Sequence, residues 1–162
     1  MKPVRRKELV KPLLFVDVDG VLSLFGFAEL PGPLSWVDGV AHYIPPDSGP
    51  RLERLAERYD LVWATGWEEK ANEYLPHLLR LPFRELPTLA FDGLAVFGTA
   101  HWKLGAIDEY AAGRPLAWID DSMDEECREW ARSRGAPTLL IETESPVGLT
   151  DEHVEHLLAW GG

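Results

Sequence analysis

The chain has a single cysteine, Cys127, so no internal disulfide can form. That fits a reducing compartment, and the expected location is cytoplasmic. Positive charge is also scarce. Lys and Arg number 16 against 27 Asp and Glu, for a formal net charge of −11. A globally acidic chain repels nucleic acid and anionic membranes at long range, so direct nucleic-acid binding is not expected. It does not exclude a phosphate substrate, because a bound cation reverses the local field. No apolar run is long enough to be a secretory signal or a membrane span, since Asp17 and Asp19 interrupt the longest candidate, Leu13–Phe27. Internal repeats, low-complexity tracts and domain linkers are missing as well. So is any His/Cys set with zinc spacing: His42, His77, His101, His153 and His156 are scattered, and only His101 falls beside a site candidate, Lys103.

What remains is an ordinary globular composition, 46% hydrophobic and 27% charged over 162 residues. One domain spanning 1–162 is expected, and at this size folding buries roughly 70% of the unfolded surface. The seven tryptophans read as core and cleft packing. Residues 1–11, with Lys2, Arg5, Arg6, Lys7 and Lys11, read as a basic, solvated extension.

Apolar runs alternate with helical patterns, which argues for βαβ units around a parallel sheet. Strands are expected at Leu13–Val18, Leu61–Ala64, Leu116–Ile119 and Thr138–Ile141. Helices are expected at Arg51–Tyr59, from Glu68 with a break or kink at Pro76, at Trp102–Ala111, from the capping-box pattern Ser122-Met123-Asp124-Glu125 to about Arg134, and after the cap Thr150. Asp92-Gly93, between Leu89–Phe91 and Leu94–Phe97, has the form of a two-residue hairpin turn. Residues 22–46 are irregular and rich in Gly, Pro and aromatics, and long enough to act as a flap over something.

Three of the expected strands end in polar residues: Asp17 and Asp19 after the first, Thr65 after the second, Asp120 and Asp121 after the third. In a parallel sheet the carboxyl ends share one edge, so these residues meet although they are far apart in sequence. Lys103, at a helix start, can reach the same point. Two carboxylates about 4 Å apart repel by roughly 4 kcal/mol at an effective dielectric of about 20, so gathering four acids calls for a cation. Oxygen-only ligands favour Mg²⁺ over zinc. The D-x-D-G spacing suits phosphoryl transfer, with one Asp attacking phosphorus and the other moving a proton.

The order D-V-D-G-V-L, V-W-A-T-G-W, H-W-K-L and W-I-D-D resembles the haloacid dehalogenase (HAD) superfamily of phosphohydrolases, from about Leu13 to Ile141, in its small bacterial form. The resemblance implies a three-layer α/β sandwich with a mainly parallel, Rossmann-like central sheet. It also implies a phosphate-ester hydrolase working through an aspartyl-phosphate. By position, Asp17 matches the nucleophile and Asp19 the general acid/base. Thr65 and the Gly66 N–H match the phosphoryl-oxygen binders, with Trp67 beside them lining the substrate side. Lys103 matches the neutralising cation. Asp120 and Asp121 match the Mg²⁺-binding acids, Asp121 being the preferred direct ligand, completed by the Asp17 carboxylate and the Asp19 carbonyl.

The intervals between motifs leave no room for a large cap domain. Capless members often act on large substrates or borrow a partner as lid; here Trp36, His42, Tyr43 and Trp67 could form a small local one. The substrate is then a phosphorylated small molecule or macromolecule: a nucleotide, a sugar phosphate, a phosphoprotein or a nucleic-acid end. A non-catalytic binding module that keeps the fold, a partner-dependent phosphatase, and phosphotransfer to an acceptor other than water stay open.

Overall fold

The computed structural model describes residues 10–83, 85–91, 93 and 99–161. Its core is a four-stranded sheet of β1 (Leu13–Val16), β4 (Asp60–Trp63), β5 (Leu116–Asp120) and β6 (Thr138–Glu142), in the order β4-β1-β5-β6, with every pair parallel. A parallel sheet covered on both faces needs strands that are apolar throughout, and β1 (LLFV) is buried at all four positions.

The pleat then sorts side chains by parity. Leu14, Val16, Leu61, Trp63, Ala117 and Ile119 pack on one face with Leu52, Leu55, Tyr59, Leu75, Val154 and Leu157, from or beside helices α1 (Ser48–Ala56), α2 (Lys70–Leu78) and α5 (Asp151–Gly161). Leu13, Phe15, Val62, Leu116 and Trp118 pack on the other face with Ile107 and Ala111 of α3 (Leu104–Ala111) and Cys127 of α4 (Glu125–Ser133). Each fully buried Leu or Val side chain contributes about 1.5–3 kcal/mol. The result is the expected three-layer α/β sandwich, and no cap domain stands among the described residues.

Boundaries differ from expectation in instructive ways. The first strand stops at Val16, before either aspartate, because Val18, the only apolar residue between them, starts a turn: its carbonyl accepts from the N–H groups of Val21, Leu22 and Ser23. α1 starts at Ser48, so Pro50 sits in its first turn, where a missing N–H costs nothing. α2 runs through Pro76 to Leu78. The cap of α4 is Asp124 rather than Ser122, with its carboxylate accepting from the Cys127 N–H at 3.2 Å. Thr150 does cap α5: its hydroxyl accepts from the His153 N–H (3.2 Å), and His153 Nδ1 accepts from the Thr150 N–H (3.0 Å).

Residues 22–46 are not wholly irregular. They contain a hairpin of β2 (Ser35–Val37) and β3 (Val40–His42), turning at Asp38 (φ 49°) and Gly39 (φ 78°), the paired positive φ angles that a two-residue turn requires. The Asp38 carboxylate accepts from Lys70 Nζ and Tyr74 Oη, which pins the turn to α2. The hairpin expected at Asp92-Gly93, and the basic extension up to residue 9, fall outside the described residues. No described helix is long and apolar enough to cross a membrane.

Candidate active site

The carboxyl ends of β1, β4 and β5 do share an edge, and the chain places its polar residues there. Asp17 follows β1 and is buried, its N–H held by the Ile119 carbonyl of β5 at 3.1 Å. Asp120 ends β5 and is 1% exposed; Thr65, two residues beyond the end of β4, is equally buried. Lys103 closes a single 3₁₀ turn (His101–Lys103) before α3 and is also buried. Its ammonium donates to Asp120 Oδ2 at 2.6 Å and to the Ala64 carbonyl at 2.8 Å, and lies 3.1 Å from Asp17 Oδ1. The ammonium therefore stands between groups that follow or end β1, β4 and β5.

Burial dominates the electrostatics. It pushes the Asp17 carboxyl well above its ordinary value, against the pull of Lys103, and the charge of Asp120 pushes the same way. Asp120 is raised for the same first reason and lowered by Lys103. Burial works against the Lys103 ammonium too, yet the two carboxylates together outweigh it and hold it above the ordinary lysine value. Two acids and one base thus meet in a dry place.

Asp17, Asp120 and Asp121 each bring a carboxylate oxygen within 4.8 Å of the others. Asp120 spends its oxygens on Lys103 and on the Ser122 N–H (3.0 Å). Asp121 accepts from Ser122 Oγ (3.1 Å) and Ser145 Oγ (2.8 Å), both neutral hydroxyls, so its charge stays uncompensated by any cation among the described residues. An all-oxygen set carrying three negative charges against one ammonium fits a hard divalent ion such as Mg²⁺.

Gly20 makes this approach possible. Its φ is +79°, and a Cβ on it would stand 2.0 Å from Asp121 Oδ2. The Gly20 carbonyl accepts from Thr143 Oγ1 at 2.7 Å, which ties the Asp-Val-Asp-Gly turn to the end of β6.

Asp19 lies apart from the buried group. It is exposed, and its Oδ2 accepts from the Trp67 indole N–H at 3.0 Å. Trp67 also donates its backbone N–H to Thr65 Oγ1 (3.2 Å). Gly66 faces open space. The structure therefore brings Asp17, Lys103, Asp120 and Asp121 into one cluster, sets Thr65 beside it, and joins Asp19 to Thr65 through Trp67.

The expected aromatic lid divides. His42 meets the Trp67 ring edge-on (centroids 5.0 Å) and holds Ser23 Oγ at 2.7 Å through Nδ1, so it is a second histidine near the site besides His101. Tyr43 packs on Phe27, and Trp36 stays 65% exposed.

Ser122, Thr143 and Ser145 were not among the expected site residues. The last two follow β6, and the rule already applied to three strand ends, carried to the fourth, points to them.

A family model described as "HAD domain in Swiss Army Knife RNA repair proteins" matches residues 13–154. No curated protein matches. Among solved structures, the HAD domain of the effector protein Lem4 from Legionella pneumophila superposes with a TM-score of 0.60 at 14% identity, covering 93% of this chain and 95% of that one. A hypothetical protein from Xanthomonas campestris superposes with a TM-score of 0.52 at 17% identity, covering 94% and 84%. The two superpositions speak for the fold; the family match spans nearly the whole sheet, from the start of β1 into α5. This chain belongs to the HAD-domain family of the Swiss Army Knife RNA repair proteins.

Proposed function

We propose that the protein is a Mg²⁺-dependent phosphatase that hydrolyses a phosphate monoester through an aspartyl-phosphate on Asp17. The observation that carries the reading is the meeting of Asp17, Asp120 and Asp121 around one shared point with Lys103 beside them. Asp17, Asp121 and the Asp19 carbonyl would hold the ion, and Asp120 would hold Lys103. When bound, the ion neutralises phosphate charge and keeps Asp17 ionised.

The chain's own residues supply the rest. An Asp17 carboxylate oxygen forms a bond to phosphorus as the bond to the leaving oxygen breaks. Asp19 donates its proton to that oxygen. In the second half Asp19 accepts a proton from water, the water oxygen bonds to phosphorus, and the Asp17–phosphorus bond breaks. Thr65 Oγ1, the Gly66 N–H and Lys103 bind the phosphoryl oxygens throughout. Phosphoryl transfer asks for positioning and charge neutralisation, and these residues provide both.

The family's description favours a phosphorylated macromolecule as substrate, specifically a nucleic-acid end, over a free metabolite. Absence of a large cap supports this, since a bulky chain can then reach the sheet edge. At −11 the domain does not build a broad basic track, so such a substrate is delivered by a fused or recruited partner. Cys127, free and buried, suits a cytoplasmic setting.

Turnover of an aryl phosphate in Mg²⁺, beside an Asp17→Asn variant, tests the chemistry. Activity is expected in the parent and lost in the variant. Equal turnover in both removes Asp17 from the mechanism, and an inactive parent across small and nucleic-acid phosphates leaves a binding module.

A further inference from the structure

We propose that Trp67 is the positioning residue of Asp19: its indole N–H selects which carboxylate oxygen carries the proton, and the 22–46 flap exists to hold that indole in place. The inference rests on the reading of Asp19 as the general acid/base given above.

Asp19 needs such a partner. It is exposed, and the carboxylate of an exposed aspartate turns over its rotamers in picoseconds to nanoseconds. Among the described residues its side chain has one hydrogen bond, from Trp67 Nε1 to Oδ2 at 3.0 Å. An indole N–H donates and never accepts, so it can only bond an oxygen without a proton pointing at it. With Oδ2 so occupied, Oδ1 is left to carry the proton to the leaving oxygen and later to take one from water.

The indole is itself fixed from three sides. Its own backbone N–H is bonded to Thr65 Oγ1, the residue read as a phosphoryl binder, so donor and phosphate site share one short turn. One side of the ring packs against the core on the α1/α2/α5 face of the sheet. His42 meets it edge-on, at 61° and 5.0 Å. His42 is anchored by Ser23 Oγ, and Ser23 returns to the catalytic turn, its carbonyl accepting from the Gly20 N–H at 2.8 Å. The hairpin that carries His42 is locked to α2 by Asp38, through Lys70 and Tyr74. Catalytic turn, flap and the start of α2 therefore close a ring of contacts with the Trp67–Asp19 bond at its centre. Trp67 was expected to line the substrate; the geometry also gives it work on the acid.

General acid assistance matters most when the leaving oxygen is basic. The test therefore compares an alkyl phosphate with p-nitrophenyl phosphate, in Mg²⁺, for the parent, Trp67→Phe, His42→Ala and Asp19→Asn. Trp67→Phe keeps an aromatic ring for His42 and the core but loses the N–H. Its alkyl-to-aryl ratio of kcat is expected to fall about tenfold, a part of the roughly 10²–10⁴ that a positioned acid supplies. His42→Ala is expected to lower the same ratio by a smaller factor, and Asp19→Asn by the largest. A ratio that falls in Asp19→Asn but stays at the parental value in Trp67→Phe and His42→Ala overturns the role of Trp67 and leaves the acid intact. A ratio unmoved in Asp19→Asn overturns the acid itself. A uniform loss on both substrates in Trp67→Phe, with parental thermal stability, marks Trp67 as a substrate contact and also overturns the inference.

Discussion

Replacing Gly20 by alanine strikes the narrowest point of the site. The backbone there has φ +79°, and an L-residue held in that region costs about 1–2 kcal/mol. The new methyl would also stand 2.0 Å from Asp121 Oδ2, 2.3 Å from its Cγ and 2.7 Å from its Cβ. Ordinary contact begins near 3.4 Å, so that oxygen has to retreat by about 1.4 Å. Overlap of this kind in a packed place costs about 1–3 kcal/mol, for an expected total of about 2–5 kcal/mol. The retreat has a second consequence. In the proposed reading Asp121 would hold Mg²⁺, an ion with little tolerance for displaced ligands, so a displaced Asp121 would weaken its binding. At a Mg²⁺ concentration about 100 times the parent's Kd, the ion stabilises the parent by about 2.7 kcal/mol; a tenfold weaker site gains only about 1.4 kcal/mol. Urea unfolding followed by tryptophan fluorescence, with and without Mg²⁺, measures both effects. Gly105→Ala, in α3 where a Cβ meets nothing within 4 Å, is the control and should gain up to about 1 kcal/mol. A Gly20→Ala protein as stable as the parent, or one that keeps the parent's whole Mg²⁺ increment, refutes the packing argued here.

Lys103→Met leaves Asp17 and Asp120 buried with no cation between them. Each ion pair is worth roughly 5–6 kcal/mol of raw attraction at an effective dielectric of about 20, and removing one partner from a buried pair costs about 3–5 kcal/mol net; an unchanged urea midpoint would contradict it. His101, bonded to Asp124 Oδ2 at 2.7 Å with Thr99 and Glu126 nearby, has its pKa raised above the ordinary 6.5, first by that bond. A raised folded value means the pair's stabilisation is complete below about 6.5 and fades as pH climbs through the folded value. NMR titration of the His101 ring should give a midpoint above 6.5, falling back in Asp124→Asn; a midpoint at or below 6.5 in the parent sinks the assignment.

The sheet and its polar edge were legible because both rest on patterns a sequence carries locally. A run such as Leu13-Leu14-Phe15-Val16 can only be a strand buried on two faces, and a polar residue at its end can only stand at the sheet's edge. Parallel pairing then gathers Asp17, Thr65 and Asp120 with no further information. The hairpin inside the 22–46 segment was not legible. Ser35-Trp36-Val37 and Val40-Ala41-His42 are too short for a period to register, and the signal that was there, Asp38-Gly39, is the same dipeptide as Asp92-Gly93, where a turn was expected. The cap expected for α4 failed for a related reason. Ser122 and Asp124 are both good cap residues, and the contest between them was settled by tertiary demand: Ser122 is needed by Asp120 and Asp121, which leaves Asp124 for the helix. The Trp67–Asp19 bond joins residues 48 apart and depends on one rotamer of each, which no periodicity encodes.

That bond also bears on why a capless domain carries so elaborate a flap. Enzymes with mobile caps or lids complete their acid–base geometry when they close, and closure excludes water at the same moment. Here the segment between the two first motifs is bonded to α2 and to the chain beyond β6. Leu24 N–H to the Tyr43 carbonyl and Ser23 to His42 tie its two ends to each other, and it is fastened to the body by Phe25 N–H to the Ser145 carbonyl beyond β6 and by Asp38 to Lys70 and Tyr74. Such stitching would defeat a lid. It serves a support, because an acid that works in open solvent has no closing step to orient it and needs a donor already in position. The division of the aromatics follows the same logic: Trp67 bonds Asp19 and His42 backs Trp67, while Trp36, on the same hairpin as His42, is 65% exposed.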